Sequence, residues 1–351
     1  MILRPRILFI ANAGPDVGGG HVMRSLTLAR ALIAKGAACA FLATPPVAAV
    51  LDAFGPDIDR EEATGVDAEH LADAATGVQF DAVVFDHYGL ARAEHEAVAH
   101  GRPTLVIDDL ANRPLAADLV LDSGPARVAA DYAFFADQAR LLLGPDYAPV
   151  RPEFAALREE ALARRGGPVA RVLVALGLTD IGKITARVVD HLRQRNGQVA
   201  LDIVLGSGAG SLPGLRRVAA HDPRITLHVD TQDMAALTAA ADVAIGAAGS
   251  TTWERCVLGL PSALLILADN QRPAALALAA RDAALVVDAQ DADFEAVLDR
   301  AIVRLMSDGA TRARLSAASA EVCDGLGAAR AAEAFMEIIA TPRQPVPGDR
   351  S

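Results

Sequence analysis

The sequence is poor in aromatic residues and in cysteine, and it has no long apolar run. Phe, Trp and Tyr make up 4% of the 351 residues, and the three cysteines stand far apart at Cys39, Cys256 and Cys323. An odd number of distant thiols, with no CxxC pair and no zinc spacing among the histidines, argues against a disulfide framework and a structural zinc site. We therefore expect a protein of a reducing cytoplasm that needs no metal or other cofactor.

Positive charge is also scarce. The chain has 33 basic and 44 acidic side chains, for a formal net charge of −11. A general nucleic-acid or anionic-membrane surface needs a basic footprint, and no run approaches the roughly 18 apolar residues of a membrane span. We expect neither partner and predict a monomer that binds a small molecule, with any anion captured locally.

What the sequence does contain is an alternation of short apolar runs and helical segments. Residues 7–10, 39–43 and 82–85 are typical of buried parallel strands, and the alternation stops between 145 and 168 before it restarts. With 52% apolar residues, this pattern predicts an α/β protein of two Rossmann-like domains whose parallel sheets face a central cleft. The predicted boundaries are an N-terminal domain at 1–150, a C-terminal domain at 151–340 and a disordered tail at 341–351.

A triple glycine follows the first predicted strand. Gly18, Gly19 and Gly20 precede His21 and a helix, so their backbone N–H groups and the helix dipole can form an anion site. His21 then lies at the carboxyl end of a strand, where open α/β sheets bind ligands. Arg24, one helical turn later, can face the same cleft and help to hold a diphosphate. The alternative is a plain glycine turn followed by a solvated arginine.

A second glycine motif opens the C-terminal half. Residues 177–184 read GLTDIGKI, which nearly matches the P-loop pattern GxxxxGK[ST]. Ile184 stands where Ser or Thr should bind Mg²⁺, and Thr185 is one place out of phase. We prefer a loop at Gly177 that faces a phosphate or a sugar, and keep a P-loop-like nucleotide-binding protein as the less favoured alternative.

The third motif follows a predicted strand at 243–245. Its small and hydroxyl residues can bind a diphosphate at a helix N-terminus, and Glu254, one turn in, can accept hydrogen bonds from two ribose hydroxyls. Asn270 and Gln271 follow the next strand and supply amide groups for a sugar. The capping alternative makes Ser250 an N-cap and Glu254 its capping-box partner. The residues assigned to the diphosphate are Gly249, Ser250, Thr251 and Thr252.

Two polar clusters follow strands of the N-terminal half. Asp86 and Tyr88 come directly after the strand at 82–85, where cleft residues that contact the substrate are expected. Asp108 and Asp109 follow the strand at 104–107 and could act as a general acid and base. Adjacent side chains diverge, however, so loop capping is the favoured role for this pair.

Together these motifs resemble one enzyme family. The strings that carry the resemblance are GGGHVMR at 18–24, DHYGL at 86–90, IDDL at 107–110, LGPxY at 143–147, RPEF at 151–154, GSTTWERC at 249–256 and NQ at 270–271. In this order, from about residue 5 to 340, the chain closely resembles the UDP-2,4-diacetamido-2,4,6-trideoxy-β-L-altropyranose hydrolases of pseudaminic acid biosynthesis, which are MurG-like.

The resemblance implies a GT-B fold with UDP held mainly by the C-terminal domain, in a bacterial pathway of flagellin glycosylation. It implies hydrolysis of a UDP-linked 2,4-diacetamido sugar to UDP and the free sugar, by C–O cleavage with inversion. His21 would take the proton of the attacking water, while Tyr88 and Asn270 would orient the sugar. An inverting glycosyltransferase that uses a UDP-sugar donor is the open alternative.

Overall fold

The computed structural model describes residues 4–14, 17–65, 68–136, 138–195 and 198–341. The first seven strands form one sheet, and four helices connect its first five strands. The strands are β1 (Arg6–Ala11), β2 (Ala38–Ala43), β3 (Asp59–Glu62), β4 (Ala82–Asp86), β5 (Thr104–Ile107), β6 (Leu119–Asp122) and β7 (Arg140–Leu143). The helices are α1 (Gly20–Ala34), α2 (Pro45–Phe54), α3 (Ala68–Thr76) and α4 (Arg92–Ala99). From residue 342 onward the predicted tail lies outside the described residues.

The second sheet has six strands. They are β8 (Arg171–Ala175), β9 (Ala200–Leu205), β10 (Ile225–Val229), β11 (Val243–Ala247), β12 (Ser262–Ile266) and β13 (Leu285–Asp288). The helices of this half are α5 (Pro152–Ala163), α6 (Ile184–Arg195), α7 (Leu212–Ala219), α8 (Met234–Ala240), α9 (Thr251–Val257), α10 (Arg272–Ala280), α11 (Phe294–Ser307), α12 (Gly309–Ala320) and α13 (Gly327–Ala340).

Both sheets are parallel throughout and follow the same winding. Their orders are β3-β2-β1-β4-β5-β6-β7 and β10-β9-β8-β11-β12-β13. The central strands are buried on both faces, which explains their unbroken apolar sequences. The predicted α/β architecture with two parallel sheets is confirmed.

Each sheet has a topological switch point where the strand order reverses. In the first sheet it lies between β1 and β4, whose last residues Ala11 and Asp86 are paired in register. In the second it lies between β8 and β11. Loops that leave neighbouring strands at such a point diverge and open a crevice at the carboxyl edge of the sheet. The three glycine motifs all follow β1, β8 or β11.

Helix α13 belongs to the core of the first sheet, although it is the last helix of the chain. Ala331, Phe335 and Ile339 are buried with Phe9 and Leu28 in one apolar cluster. The predicted domain boundary near residue 150 stays a prediction. That prediction places residues 151–340 together in the C-terminal half, whereas α13 packs against the first sheet. An amphipathic helix lies wherever its apolar face is covered, and that face is covered here by α1.

Two observations bear on the compartment and the membrane. Cys39, Cys256 and Cys323 are all free and buried. None of the helices in the described part of the chain is both long and apolar enough to span a bilayer.

Candidate active site

His21 stands in the first turn of α1 and reaches the end of β4. Its Nδ1 lies 2.5 Å from Oδ1 of Asp86, and the two side chains are 7% and 1% exposed. Burial alone would raise the pKa of the Asp86 carboxyl, but Arg24 and His21 hold that pKa well below its ordinary value. An ionised carboxylate can only accept a hydrogen bond here, so Nδ1 carries the donating N–H and the network assigns the tautomer whose Nε2 is unprotonated.

Arg24 bridges two carboxylates. Its Nε and Nη2 donate to Asp86 at 2.7 and 2.6 Å, and its Nη1 donates to Oδ2 of Asp109 at 2.9 Å. The sequence predicted that Arg24 helps to hold a diphosphate and that Asp86 contacts the substrate. The structure instead pairs them with each other, because acidic residues at the ends of neighbouring strands require a buried counter-charge.

Tyr88 connects the two halves of the protein. Its ring packs edge-on against His21, with centroids 4.4 Å apart. Its hydroxyl donates to Oδ2 of Asp109 at 3.0 Å and accepts from Nδ2 of Asn270 at 2.9 Å. Burial and the Asp109 carboxylate both raise the pKa of Tyr88, so its hydroxyl stays protonated. The structure thus brings together His21, Tyr88 and Asn270, and the roles that the resemblance implies for them stay predictions.

The two adjacent aspartates have different roles. Asp108 accepts hydrogen bonds from the Ala111 N–H, the Tyr132 hydroxyl and Arg113, at 2.7, 2.9 and 2.7 Å, which is the predicted loop-capping role. Asp109 turns toward Arg24, and its Oδ1 is buried without a hydrogen-bond partner. The sequence names both aspartates but does not distinguish them, because only the fold shows which of two neighbouring carboxylates lies beside Arg24 and Tyr88.

The first glycine loop lies against the second half of the chain. A Cβ atom on Gly18 would lie 3.7 Å from Oγ1 of Thr179, one on Gly19 would lie 3.3 Å from the Leu178 side chain, and one on Gly20 would lie 3.8 Å from Oγ of Ser250. Gly18 also has φ +77°, a conformation that favours glycine. The loops after β1, β8 and β11 therefore converge, and Gly177 opens the second of them.

The turn from β11 into α9 does not follow the capping alternative. Ser250 is the N-cap residue but makes no side-chain capping hydrogen bond. Glu254 instead accepts from Nε and Nη2 of Arg151 at 3.1 and 2.9 Å through Oε1, while its Oε2 is buried without a partner. Burial raises the pKa of Glu254 against the opposing effect of Arg151. This leaves one carboxylate oxygen free to accept a hydrogen bond.

Some predicted ligand groups are used internally. The Thr252 hydroxyl is buried and lies 3.4 Å from the carbonyl oxygen of Ala247. Gln271 accepts from the Leu267 N–H at 3.0 Å through Oε1, although its Nε2 lies near Gly249. The Thr251 hydroxyl accepts from Nη1 of Arg255 at 3.1 Å, whereas Oγ of Ser250 lies beside Gly20. The assignment of Gly249, Ser250 and Thr251 to a diphosphate stays a prediction.

The P-loop alternative is disfavoured by the loop after β8. Thr185 is buried, and its hydroxyl donates to Oδ1 of Asp180 at 2.6 Å. A buried hydroxyl that is already bonded to a carboxylate cannot serve as the Mg²⁺ ligand of a P-loop. Within the described ranges, no group of three or more His, Cys, Asp or Glu side chains has the arrangement of a metal site.

Comparison with known proteins relates the chain to glycosyltransferases and sugar-nucleotide enzymes. Residues 172–334 match the Glycosyltransferase family 28 C-terminal domain. The chain is 28% identical over 197 residues to the spore coat polysaccharide biosynthesis protein SpsG of Bacillus subtilis, which covers 54% of this chain and 56% of SpsG. It is 23% identical over 277 residues to the UDP-2,4-diacetamido-2,4,6-trideoxy-beta-L-altropyranose hydrolase of Campylobacter jejuni, covering 78% of this chain and 96% of that protein.

The aligned region spans little more than half the length of SpsG. Among solved structures, MurG of Acinetobacter baumannii superposes with a TM-score of 0.67 at 19% identity, over 95% of this chain and 99% of MurG. The chain thus has the two-sheet GT-B fold of MurG, and its residues 172–334 correspond to a Glycosyltransferase family 28 C-terminal domain.

Proposed function

We propose that this chain hydrolyses a UDP-sugar in the cleft between the two sheets, with His21 as the general base. The observation that carries the proposal is the buried His21–Asp86 pair, at 2.5 Å, beside the point where the three glycine loops converge. An ionised Asp86 fixes the tautomer of His21 and stabilises the imidazolium that forms when Nε2 takes a proton, as the aspartate of a Ser-His-Asp triad does.

The reaction is written as follows. The oxygen of a water molecule attacks the anomeric carbon while Nε2 of His21 takes one of its protons. The bond between C1 and the diphosphate oxygen breaks, and its electron pair leaves with UDP. Attack from the face opposite the leaving group inverts the configuration at C1. The backbone N–H groups of Gly19 and Gly20 would stabilise the developing charge, whereas the N–H of Gly18 donates to the carbonyl oxygen of Gly14 at 2.7 Å.

The second half of the chain would hold the nucleotide. Oε2 of Glu254 is a buried acceptor without a partner, which suits the adjacent hydroxyls of a ribose. Gly177, Gly249, Ser250 and Thr251 would face the diphosphate. Asn270 would orient the sugar together with Tyr88, to which it donates a hydrogen bond, and Gln271 would stand beside them.

The sugar is proposed from the Campylobacter jejuni relative. That protein is a hydrolase of UDP-2,4-diacetamido-2,4,6-trideoxy-beta-L-altropyranose, and its alignment covers 78% of this chain. We therefore propose a 2,4-diacetamido-2,4,6-trideoxy sugar as the substrate, in the biosynthesis of a nonulosonic acid such as pseudaminic acid for flagellin glycosylation, in the cytoplasm.

Glycosyl transfer is the second candidate, and the match to a glycosyltransferase domain at 172–334 favours it. The same base would then take a proton from an acceptor hydroxyl instead of from water. Turnover of the UDP-sugar in ¹⁸O-water separates the two reactions. We expect label at C1 of the free sugar; turnover that requires an added acceptor and leaves the sugar unlabelled would establish transfer, and label in UDP would contradict C–O cleavage.

The role of His21 is tested by His21→Ala. We expect kcat to fall about 10²- to 10⁴-fold, the usual contribution of a general base, with UDP affinity retained. The matched control is His191→Ala, because His191 pairs with Glu295 on the surface of the second half. Near-normal turnover of His21→Ala would remove this residue from the mechanism.

A further inference from the structure

Arg255 is a buried cation without a carboxylate partner. It lies in α9, and the residue is 3% exposed. The ion pairs of the described residues do not include it, and its neighbour Glu254 is paired with Arg151. Because a buried charge is normally compensated by an opposite charge, the position of Arg255 needs an explanation.

The guanidinium holds the turn from β11 into α9 from its inner side. Its Nη2 donates to the carbonyl oxygen of Ala247 at 2.7 Å and to Oγ1 of Thr252 at 3.1 Å, and its Nη1 donates to Oγ1 of Thr251 at 3.1 Å. A Cβ atom on Gly246 would lie 2.4 Å from Nη1, so the guanidinium packs directly against the end of the strand.

These contacts satisfy donors but do not compensate the charge. All three acceptors are neutral, and Nε is buried without a partner. A cavity of about 10 Å³ lined by Thr252, Arg255, Ser262 and Ser319 lies beside it and has room for one water, which carries no charge either. Burial lowers the pKa of Arg255 to about 10, the effect expected of a cation without sufficient compensation. The Arg255 guanidinium therefore places an uncompensated positive charge against the inner side of the turn at residues 247–252.

We propose that Arg255 is a positioning residue for a nucleotide diphosphate, whose negative charge supplies the missing counter-charge across the turn. The inference rests on the proposed function, in which Gly249, Ser250 and Thr251 face the diphosphate. Arg255 does not touch that anion; it acts through the turn that it holds and through its electric field, which is strong because little water separates the two charges. A role limited to holding the turn would affect every ligand of the cleft alike.

The two roles are separated by comparing a charged ligand with an uncharged one. Isothermal titration would measure UDP and uridine binding at pH 6.5 to the wild-type protein, to Arg255→Gln and to Arg255→Lys. We expect Arg255→Gln to weaken UDP about 10- to 100-fold and uridine less than about twofold. Arg255→Lys retains a cation but lacks the several N–H donors of a guanidinium. Its ratio of UDP affinity to uridine affinity is expected to stay within about fivefold of the wild-type ratio.

The matched control is Arg158→Gln. Arg158 donates to the carbonyl oxygen of Val257, at the other end of α9, and to those of Ala320 and Cys323. Its loss removes a comparable number of hydrogen bonds, one of them to the same helix, but no charge next to the turn. We expect equal, small changes in UDP and uridine affinity for this variant.

Three results would overturn the inference. Arg255→Gln could bind UDP as tightly as the wild-type protein, or it could weaken UDP and uridine equally, which would leave only a role in shape. Should Arg255→Gln fail to fold by circular dichroism, Arg255→Lys decides alone, since loss of its whole preference for UDP would refute a role of charge. Failure of the wild-type protein to bind UDP would instead refute the proposed function, and this inference with it.

Discussion

The substitution Asp86→Asn tests whether the carboxylate beside His21 contributes to catalysis. The wild-type carboxylate accepts four hydrogen bonds, from Nδ1 of His21 at 2.5 Å, from Arg24 at 2.7 and 2.6 Å, and from Ser25 at 3.1 Å. An amide of the same shape has one oxygen and one NH₂ group. Whichever way it is turned, the NH₂ group faces donors that require an acceptor.

The magnitude follows from this loss. Hydrogen bonds to a charged group are worth about 1.5–3 kcal/mol each. If the amide oxygen takes the place of Oδ2, which accepts from Nε of Arg24 and from Ser25, His21 loses its acceptor. The imidazolium loses its counter-charge in either orientation, so about 3–5 kcal/mol of transition-state stabilisation disappears. Each 1.4 kcal/mol is a factor of about ten in rate, and we expect kcat to fall about 10²- to 10⁴-fold. KM should stay within about threefold, because the Asp86 side chain is 1% exposed and is bonded to His21, Arg24 and Ser25.

The assay is the initial rate of UDP release from the UDP-sugar over a range of substrate concentrations, with thermal unfolding to show that the variant is folded. Ser25→Ala is the control, since it removes one hydrogen bond to the same carboxylate, the longest at 3.1 Å, and should lower kcat less than about tenfold. A folded Asp86→Asn protein with kcat within about threefold of the wild-type value would refute the proposed role of this pair.

Three further predictions concern other parts of the chain. Glu254→Ala should weaken UDP about tenfold in isothermal titration and leave kcat nearly unchanged, since a ribose contact is made in the ground and transition states alike; a selective fall in kcat would contradict the ribose role. Burial lowers the pKa of His95 to about 3, whereas the unfolded chain takes up the proton near pH 6.5. The wild-type free energy of unfolding should therefore fall as pH drops below 6.5, by up to about 1.4 kcal/mol per pH unit from this group. In urea titrations at pH 7 and pH 5, the free energy of unfolding of His95→Gln should fall less than that of the wild-type protein. Equal falls in the two proteins would contradict this prediction. Phe335→Ala should cost about 3–5 kcal/mol in urea unfolding, since its ring is buried in the first core; a cost below about 1 kcal/mol would show that α13 adds little to that core.

The sequence predicts the central strands, and the glycine loops that follow three of them, because both have local signatures. Strands buried on both faces are unbroken apolar runs, and residues 82–85 and 243–245 were recognised for that reason. Strand β3 was missed because its sequence, Asp59–Glu62, is entirely polar and lies at the edge of the sheet, where pairing with β2 rather than hydrophobicity defines it.

Long-range pairing limited the prediction of the site. Arg24 and Asp86 are 62 residues apart, and neither residue type nor spacing shows that one neutralises the other. The same applies to Glu254, whose partner Arg151 lies 103 residues earlier. Charged residues in a cleft are therefore recognised from sequence, but whether they face a ligand or each other is decided by the fold.

The packing of α13 against the first sheet means that the chain passes between the two halves twice. The two passages touch, since a Cβ atom on Gly327 would lie 2.3 Å from the carbonyl oxygen of Ala148, and Arg330 donates to the carbonyl oxygen of Asp146 at 2.9 Å. Two adjacent connections of this kind allow a hinge rotation, which can separate Tyr88 from Asn270 while each sheet stays intact. They also mean that no single cut divides the chain into two foldable pieces. A cut near residue 150 would separate α13 from the core of the first sheet, in which Phe335 is buried.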